Sequence, residues 1–153
     1  MNKKKDLTNR LTILAFEGPD KVGKSSLINE VNKRTNYEYL CVDRFLGSAW
    51  VYDNLYGRRN REITIELAEN EISRLEEIQV INILLKCDRA VLVKRIILEN
   101  EHPRERIKNV NRVIELYDEY SKHKSLLPII EVDTTNKSVG ETANEIISKI
   151  QKL

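Results

Sequence analysis

Cysteine is scarce in this chain. Only Cys41 and Cys87 occur among 153 residues, too few for a disulfide scaffold. Each sits beside a strand-like run, so two free, buried thiols in a reducing compartment are expected. Glycine and proline are scarce as well, at five and three, which excludes collagen-like and low-complexity sequence. No apolar run approaches the ~20 residues of a membrane span. The stretch Ile81 to Leu85 is already broken by Asn82. Met1 to Arg10 is basic, but the apolar run behind it is cut by Glu17, a poor match to a secretory leader. The two histidines, His102 and His123, have no metal-ligand spacing. An excess of one charge is also missing: Lys plus Arg is 26, Asp plus Glu is 24, and the net charge is +2. That balance gives no global electrostatic case for nucleic acid or a membrane surface. A cytoplasmic protein without a membrane partner is expected.

What is present is enough apolar sequence for a core, at 41%. The length fits one domain over 1–153, with 1–10 polar and frayed. Leu11 to Phe16 reads as a buried strand and Lys24 to Lys33 as a helix. Tyr37 to Val42 reads as a second strand, and 43–60 as loop plus short helix. Ile65, Ala68, Ile72 and Leu75 mark a helix over 62–78. Val80 to Leu85 is a third strand and Ala90 to Leu98 a mostly apolar helix. Asn100 to Arg106 is a charged break containing Pro103. Ile107, Val110, Ile114 and Tyr117 lie on one face of a long helix. Ile129 to Val132 is a fourth strand, and Val139 to Ile150 a last helix. This alternation predicts an α/β fold in three layers, with a small parallel sheet of about four strands covered by helices on both faces. The first strand is expected to be central.

Gly18-Pro-Asp-Lys-Val-Gly23-Lys24-Ser25 fits G-x-x-x-x-G-K-S between a predicted strand and a predicted helix. Glycines let the backbone curl so that N–H groups face an anion, and the helix N-terminus adds a favourable dipole. Lys24 can reach the β- and γ-phosphates, and Ser25 can hold magnesium through its hydroxyl. Gly18, Asp20, Val22, Gly23, Lys24, Ser25 and Ser26 are the expected nucleotide-binding set. A base-reading N-K-x-D of GTPases is not matched, since Asn136-Lys137-Ser138-Val139 lacks the acid. Leu40 to Asp43 ends a strand in a carboxylate, as a metal-organising acid should. Asp88 also follows a strand, where a helix N-cap is the simpler role.

Phe16 to Ser26 resembles the opening of thymidylate kinases, F-E-G-x-D-x-x-G-K-[ST]. Asp43-Arg44-Phe45 through Ser48 to Tyr52 is similar to their D-R-Y-x-x-S-x-x-A-Y, with Phe for Tyr and Val for Ala. Arg112-Val113 with Tyr117 resembles the helix after the family's lid. The resemblance spans about 11–151 and implies a P-loop kinase fold and an ATP- and magnesium-dependent transfer of the γ-phosphoryl to a deoxynucleotide-type acceptor. It implies that Lys21, Lys24 and Arg44 stabilise the transferred group, and that Ser25 and Asp43 organise Mg2+. Asp43 is one candidate base and Glu17 another. Asp20, Arg44, Ser48, Tyr52 and Arg106 would meet the acceptor. Arg104 would meet the nucleotide, with both lid arginines in a short lid over about 99–106. The loop 133–136 would lie beside the adenine.

Each role has a plainer competitor. Asp20 could only cap its loop, Arg44 could pair with Asp43 or Glu17, Trp50 and Tyr52 could be core, and 101–106 could be a solvated surface. The chain also lacks the segment between the P-loop helix and Asp43 that grips thymine in thymidylate kinases. Compact kinases of bacterial viruses look similar, which implies a second acceptor class: a hydroxylated base such as 5-hydroxymethyluracil within DNA, or a polynucleotide end. The basic cluster Arg58, Arg59 and Arg61 could then meet a backbone, or be a solvated loop. The third reading is a nucleotide-binding protein without acceptor chemistry. The sequence does not specify an oligomeric state.

Overall fold

In a computed structural model of the chain, residues 10–58, 62–99 and 103–153 are described. Four strands, β1 (Leu11–Glu17), β2 (Leu40–Asp43), β3 (Ile78–Lys86) and β4 (Ile129–Asp133), form one parallel sheet in the order β2-β1-β3-β4. The P-loop strand is therefore an inner strand, as the sequence predicts. The register pairs Phe16 with Asp43, Glu17 with Leu84, and Lys86 with Asp133. Polar residues thus gather at the carboxyl ends of the strands, where ligands bind in open α/β sheets.

Six α-helices accompany the sheet: α1 (Lys24–Arg34), α2 (Leu46–Leu55), α3 (Glu62–Ser73), α4 (Arg89–Glu99), α5 (Pro103–Glu119) and α6 (Val139–Gln151). Side chains alternate across a strand, and β3 divides the core accordingly. Ile81, Ile83 and Leu85 join Leu27 and Val31 of α1 and Ala143 and Ile146 of α6. Leu84 joins Trp50, Ile65, Val113 and Tyr117 of α2, α3 and α5. Asn82, which breaks the apolar run, lies on that second side and donates to the Tyr120 hydroxyl at 3.3 Å.

The same face holds a carboxylate that helical spacing did not single out. Glu69 is fully buried and accepts from the Tyr120 hydroxyl and from the Leu126 N–H at 2.7 Å. Burial pushes its pKa up. Tyr120 opens a π-helical turn, Tyr120–Lys124, that continues α5. Such wide turns re-aim a helix end; here it brings Tyr120 and Leu126 onto α3.

Three boundaries differ from the sequence reading. The second strand begins at Leu40 because Asn36 and Tyr37 adopt left-handed φ of 51° and 58°, closing a turn after α1. The third helix ends at Ser73, and Leu75 is 46% exposed rather than on the packed face. The charged break is shorter than expected, because Pro103 is the first residue of α5. Proline suits that position, since its missing N–H would be unbonded there anyway. Of the expected lid stretch, Glu99 ends α4, residues 100–102 lie outside the described residues, and Pro103 to Arg106 form the first turn of α5. Both cysteines are free. Cys87 is buried, and Cys41 is half-buried, its thiol pushed up to about 11 by burial.

Candidate active site

The loop between β1 and α1 crosses the carboxyl edge of the sheet. Gly18 passes so close to β3 that a Cβ there would lie 2.7 Å from the Leu85 carbonyl oxygen, and its φ of 146° adds a second reason for glycine. Val22 is 2% exposed and anchors the loop in the core. Lys24 is 7% exposed, and its ammonium donates to the carbonyls of Gly18 and Pro19, each at 3.0 Å. Burial pushes the Lys24 pKa down, the Arg44 charge adds to this, and the carboxylates of Asp43, Asp20 and Glu17 oppose it.

Across the β1–β2 pairing, Asp43 approaches the start of α1. Ser25 Oγ donates to Asp43 Oδ2 at 3.5 Å. A hydroxyl and a carboxylate at this spacing are the hard oxygen donors that magnesium takes, alongside phosphate and water. Among the described residues, no group of three or more His, Cys, Asp or Glu could hold a metal ion. An ion there would depend on ligand phosphate.

Arg44 continues the strand pairing through its N–H to Phe16 O at 2.9 Å and then turns with a left-handed φ of 68°. Its guanidinium forms an ion pair with Asp20 and lies 5.2 Å above the Tyr52 ring centroid. Tyr52 stacks on Tyr56 with centroids 6.2 Å apart, and Arg58 covers Tyr56 at 5.0 Å. Arg58 also stands 4.0 Å from the Asp53 carboxylate. Arg59 and Arg61 of the basic cluster lie outside the described residues.

Two cavities are lined by Asp20 of the loop, apart from a third that reaches only Pro19. The larger, about 790 Å³, is lined by Asp20 to Leu27, Asp43 and Arg44, by Arg95, Leu98 and Glu99 of α4, and by Thr134, Lys137, Val139 and Thr142. The smaller, about 270 Å³, lies between α2, α4 and α5. Pro19, Asp20, Tyr52, Leu55, Tyr56, Glu105, Arg106 and Asn109 are among its walls. Asp20 borders both.

The expected site residues divide accordingly. Asp20, Lys21, Val22, Gly23, Lys24, Ser25, Ser26, Asp43 and Arg44 border the larger cavity, while Tyr52 and Arg106 border the smaller. Arg104 borders neither; the α4 arginine facing the larger cavity is Arg95. Glu17 and Ser48 face inward. Glu17 is 1% exposed and accepts from Phe45 N–H at 2.7 Å and from the Ser48 hydroxyl, which also meets the Tyr117 hydroxyl at 2.8 Å. Burial pushes the Glu17 pKa up, against the hydrogen bonds from Ser48 and Phe45. In this arrangement Glu17 fastens the start of α2.

Sequence reasoning singled out neither Arg95 nor Asn109, and it took Glu99 and Glu105 only as part of the lid stretch 99–106 and Lys137 only as part of the unmatched base-reading stretch. Arg95 and Glu99 carry a faint signal as opposite charges at i and i+4 on α4, which also carries Arg89 and Lys94. Asn109 carries none. The loop after β4 was legible in part, since Thr134 borders the larger cavity and Asp133 turns instead to Thr135, accepting its N–H at 2.9 Å and its hydroxyl at 2.7 Å.

Sheet order, phosphate loop and flanking helices define a P-loop kinase fold. No protein-family profile matches the chain, and no curated protein does. Many solved structures are similar, three of them as follows. The YorR protein from Bacillus subtilis, solved with phosphorylated GDP, superposes with a TM-score of 0.68 at 21% identity, covering 91% of this chain and 95% of that one. Deoxyadenosine kinase from M. mycoides with bound dCTP gives 0.57 at 14% identity over 92% and 100%. A gluconokinase from Sinorhizobium meliloti gives 0.52 at 14% identity over 95% and 93%. At such identities the likeness is one of fold. Among the described residues, no helix is long and apolar enough to cross a membrane.

Proposed function

We propose that the protein is an ATP- and magnesium-dependent phosphotransferase acting on a deoxynucleotide-type acceptor, in the manner of thymidylate kinases. One observation carries this reading: two separate cavities meet at Asp20, on the phosphate loop itself. A nucleotide switch needs one ligand site. A transferase needs a donor and an acceptor site meeting where the phosphoryl group moves.

The larger cavity takes the donor. The loop amides and the dipole of α1 receive its phosphates. Lys24 exchanges its two carbonyl partners for phosphate oxygens. Ser25 and Asp43 hold Mg2+, which when bound draws charge from the phosphate oxygens. Phosphoryl transfer asks for positioning and for cations around a charge-spread transition state, and Lys21, Lys24 and Arg44 provide them. The smaller cavity takes the acceptor, with Arg106 as a phosphate or hydroxyl contact, Tyr52 and Tyr56 as its aromatic wall, and Arg44 reaching toward it from the larger cavity through Asp20 and Tyr52. Asp43 borders the larger cavity, whereas Glu17 is buried and occupied by Ser48 and Phe45, which favours Asp43 over Glu17 for ordering the attacking group. Two of the similar structures, YorR and deoxyadenosine kinase, were solved with nucleotides bound, in keeping with a nucleotide ligand on this fold. A cytoplasm supplies ATP, magnesium and reduced thiols together.

The size of the smaller cavity favours a free nucleotide over a polymer, being near the lower end of small-molecule sites. The test offers γ-labelled ATP with four acceptor pools: deoxynucleoside monophosphates, nucleosides, plain DNA, and DNA carrying 5-hydroxymethyluracil. Label on a monophosphate is the expected result. Label on DNA alone would replace the acceptor by a polymer and make the shortened segment before Asp43 the feature that admits it. Nucleotide binding with no labelled product from any pool would overturn the transferase reading.

A further inference from the structure

The donor cavity contains an acid that phosphate binding does not call for. Glu99, the last residue of α4, lines it and forms an ion pair with Lys21. One turn earlier on the same helix, Arg95 donates to the Lys21 backbone carbonyl at 2.7 Å. Residue 21 is thus held at both ends by α4, at its carbonyl and at its ammonium. It is held in a left-handed conformation, φ 68°, although it is not a glycine. Such a conformation costs on the order of 1 kcal/mol and persists only where surrounding contacts fix it. Here both contacts come from residues i and i+4 of one helix.

This arrangement has an electrostatic consequence. A carboxylate on the wall of a polyphosphate site repels the ligand unless a cation neutralises it. While Lys21 is paired with Glu99 its charge is unavailable to the transferred phosphoryl. We propose that Glu99 is a positioning residue that keeps Lys21 parked on α4 until a γ-phosphate competes for it. Arg95 meanwhile holds the backbone of residue 21, so that only the side chain swings. The device answers to the third phosphate, because the β-phosphate has Lys24 and the loop amides. It therefore biases the cavity between nucleoside triphosphates and diphosphates. The inference rests on the donor reading of the cavity.

The test is calorimetric titration of the full chain, in magnesium, with a non-hydrolysable ATP analogue and with ADP. Glu99 is half-exposed, so Glu99→Gln leaves the core untouched. The expected result is that Glu99→Gln tightens the triphosphate by roughly two- to five-fold, the range of an exposed ion pair, and leaves ADP unchanged. The gain should shrink as salt is raised from about 0.05 M to about 0.5 M. In a Lys21→Met background Glu99 is left without its cation, so Glu99→Gln should tighten the triphosphate and ADP to a similar extent and lose its preference for the triphosphate. With Lys21 in place, equal tightening of both ligands would reveal a general charge effect and overturn the proposal. So would unchanged or weakened triphosphate binding, or a gain selective for the triphosphate that survives in Lys21→Met. If the unaltered chain binds neither ligand, the donor reading of the cavity fails and this inference falls with it. If it binds both but Glu99→Gln separates nothing, the donor reading stands and this inference alone fails.

Discussion

Arg44 is held between an acid and an aromatic face: its guanidinium pairs with Asp20, and its central carbon lies 5.2 Å over the Tyr52 ring. Asp20 belongs to the phosphate loop and Tyr52 to α2, so one side chain ties the larger cavity to the smaller. Removing it should weaken acceptor use more than nucleotide affinity. Arg44→Ala is expected to raise the acceptor KM by roughly ten-fold or more, the scale of a lost charge-assisted hydrogen bond, with a much smaller change in the KM for ATP. Tyr52→Leu should give a fraction of that effect, roughly two- to five-fold, because it removes the cation–π contact and one aromatic wall of the smaller cavity but leaves Arg44 paired with Asp20. Tyr52→Phe should give little. Steady-state kinetics with each substrate varied in turn decides this, and equal effects on both substrates would remove Arg44 from the acceptor side.

Lys24 gives a sharper prediction. Its ammonium is buried and bonded to the loop's own carbonyls. Lys24→Ala should lower turnover by ~10²-fold or more, the scale seen when a preorganised charge-stabilising donor is removed. The circular dichroism spectrum should keep its α/β shape. Full turnover in this variant would show that the loop does not handle phosphate.

Glu17 makes stability depend on pH with a defined sign. Burial raises its pKa above the usual 4.5 in the folded state, so folding favours the protonated form. Below pH 4.5 both states hold the proton and nothing is lost. As pH rises from 4.5 toward the folded value, the unfolded state ionises first and stability declines. Glu17→Gln can still accept from Phe45 N–H and can donate to Ser48, yet it does not titrate. Urea midpoints from about pH 4 to about pH 8 should therefore show Glu17→Gln gaining on the unaltered chain as pH rises. A difference constant across that window would mean that Glu17 does not titrate on folding.

Gly47 sits where α2 touches the sheet. A Cβ there would lie 2.7 Å from Tyr120 Cε1 and 3.2 Å from the Glu17 carboxyl. Gly47→Ala is expected to destabilise the fold by about 1–3 kcal/mol, the usual cost of overpacking. Thermal unfolding measures this, and a midpoint equal to or above that of the unaltered chain would show that Tyr120 yields freely.

How much of this was legible beforehand varies by the kind of signal. The strands and the phosphate loop were, because apolar runs and the G-x-x-x-x-G-K-S spacing are local patterns. Asp43 was too, as the acid that ends a strand, since that is local as well, whereas Arg44 was drawn only from the resemblance to thymidylate kinases. The end of the third helix was not, because Leu75 continues the helical spacing while the pull of β3 on Ile78 comes from the sheet. Glu69 was hidden for a similar reason: its partners are Tyr120 and Leu126, more than fifty residues away. The inward turn of Glu17 depends on Ser48 and Tyr117, and the α4 contacts to Lys21 depend on how that helix lies against the loop. Long-range packing, rather than residue type, decides each of these.

The bonds from Lys24 to Gly18 O and Pro19 O have a consequence for the energetics of ligand entry. A loop that closes on its own cation keeps its shape when empty, so little chain ordering is needed when an anion arrives. The same bonds must then be exchanged for new ones, which offsets part of the enthalpy gained. Such a cavity should bind quickly and release readily, a useful property where the spent nucleotide has to leave on every cycle.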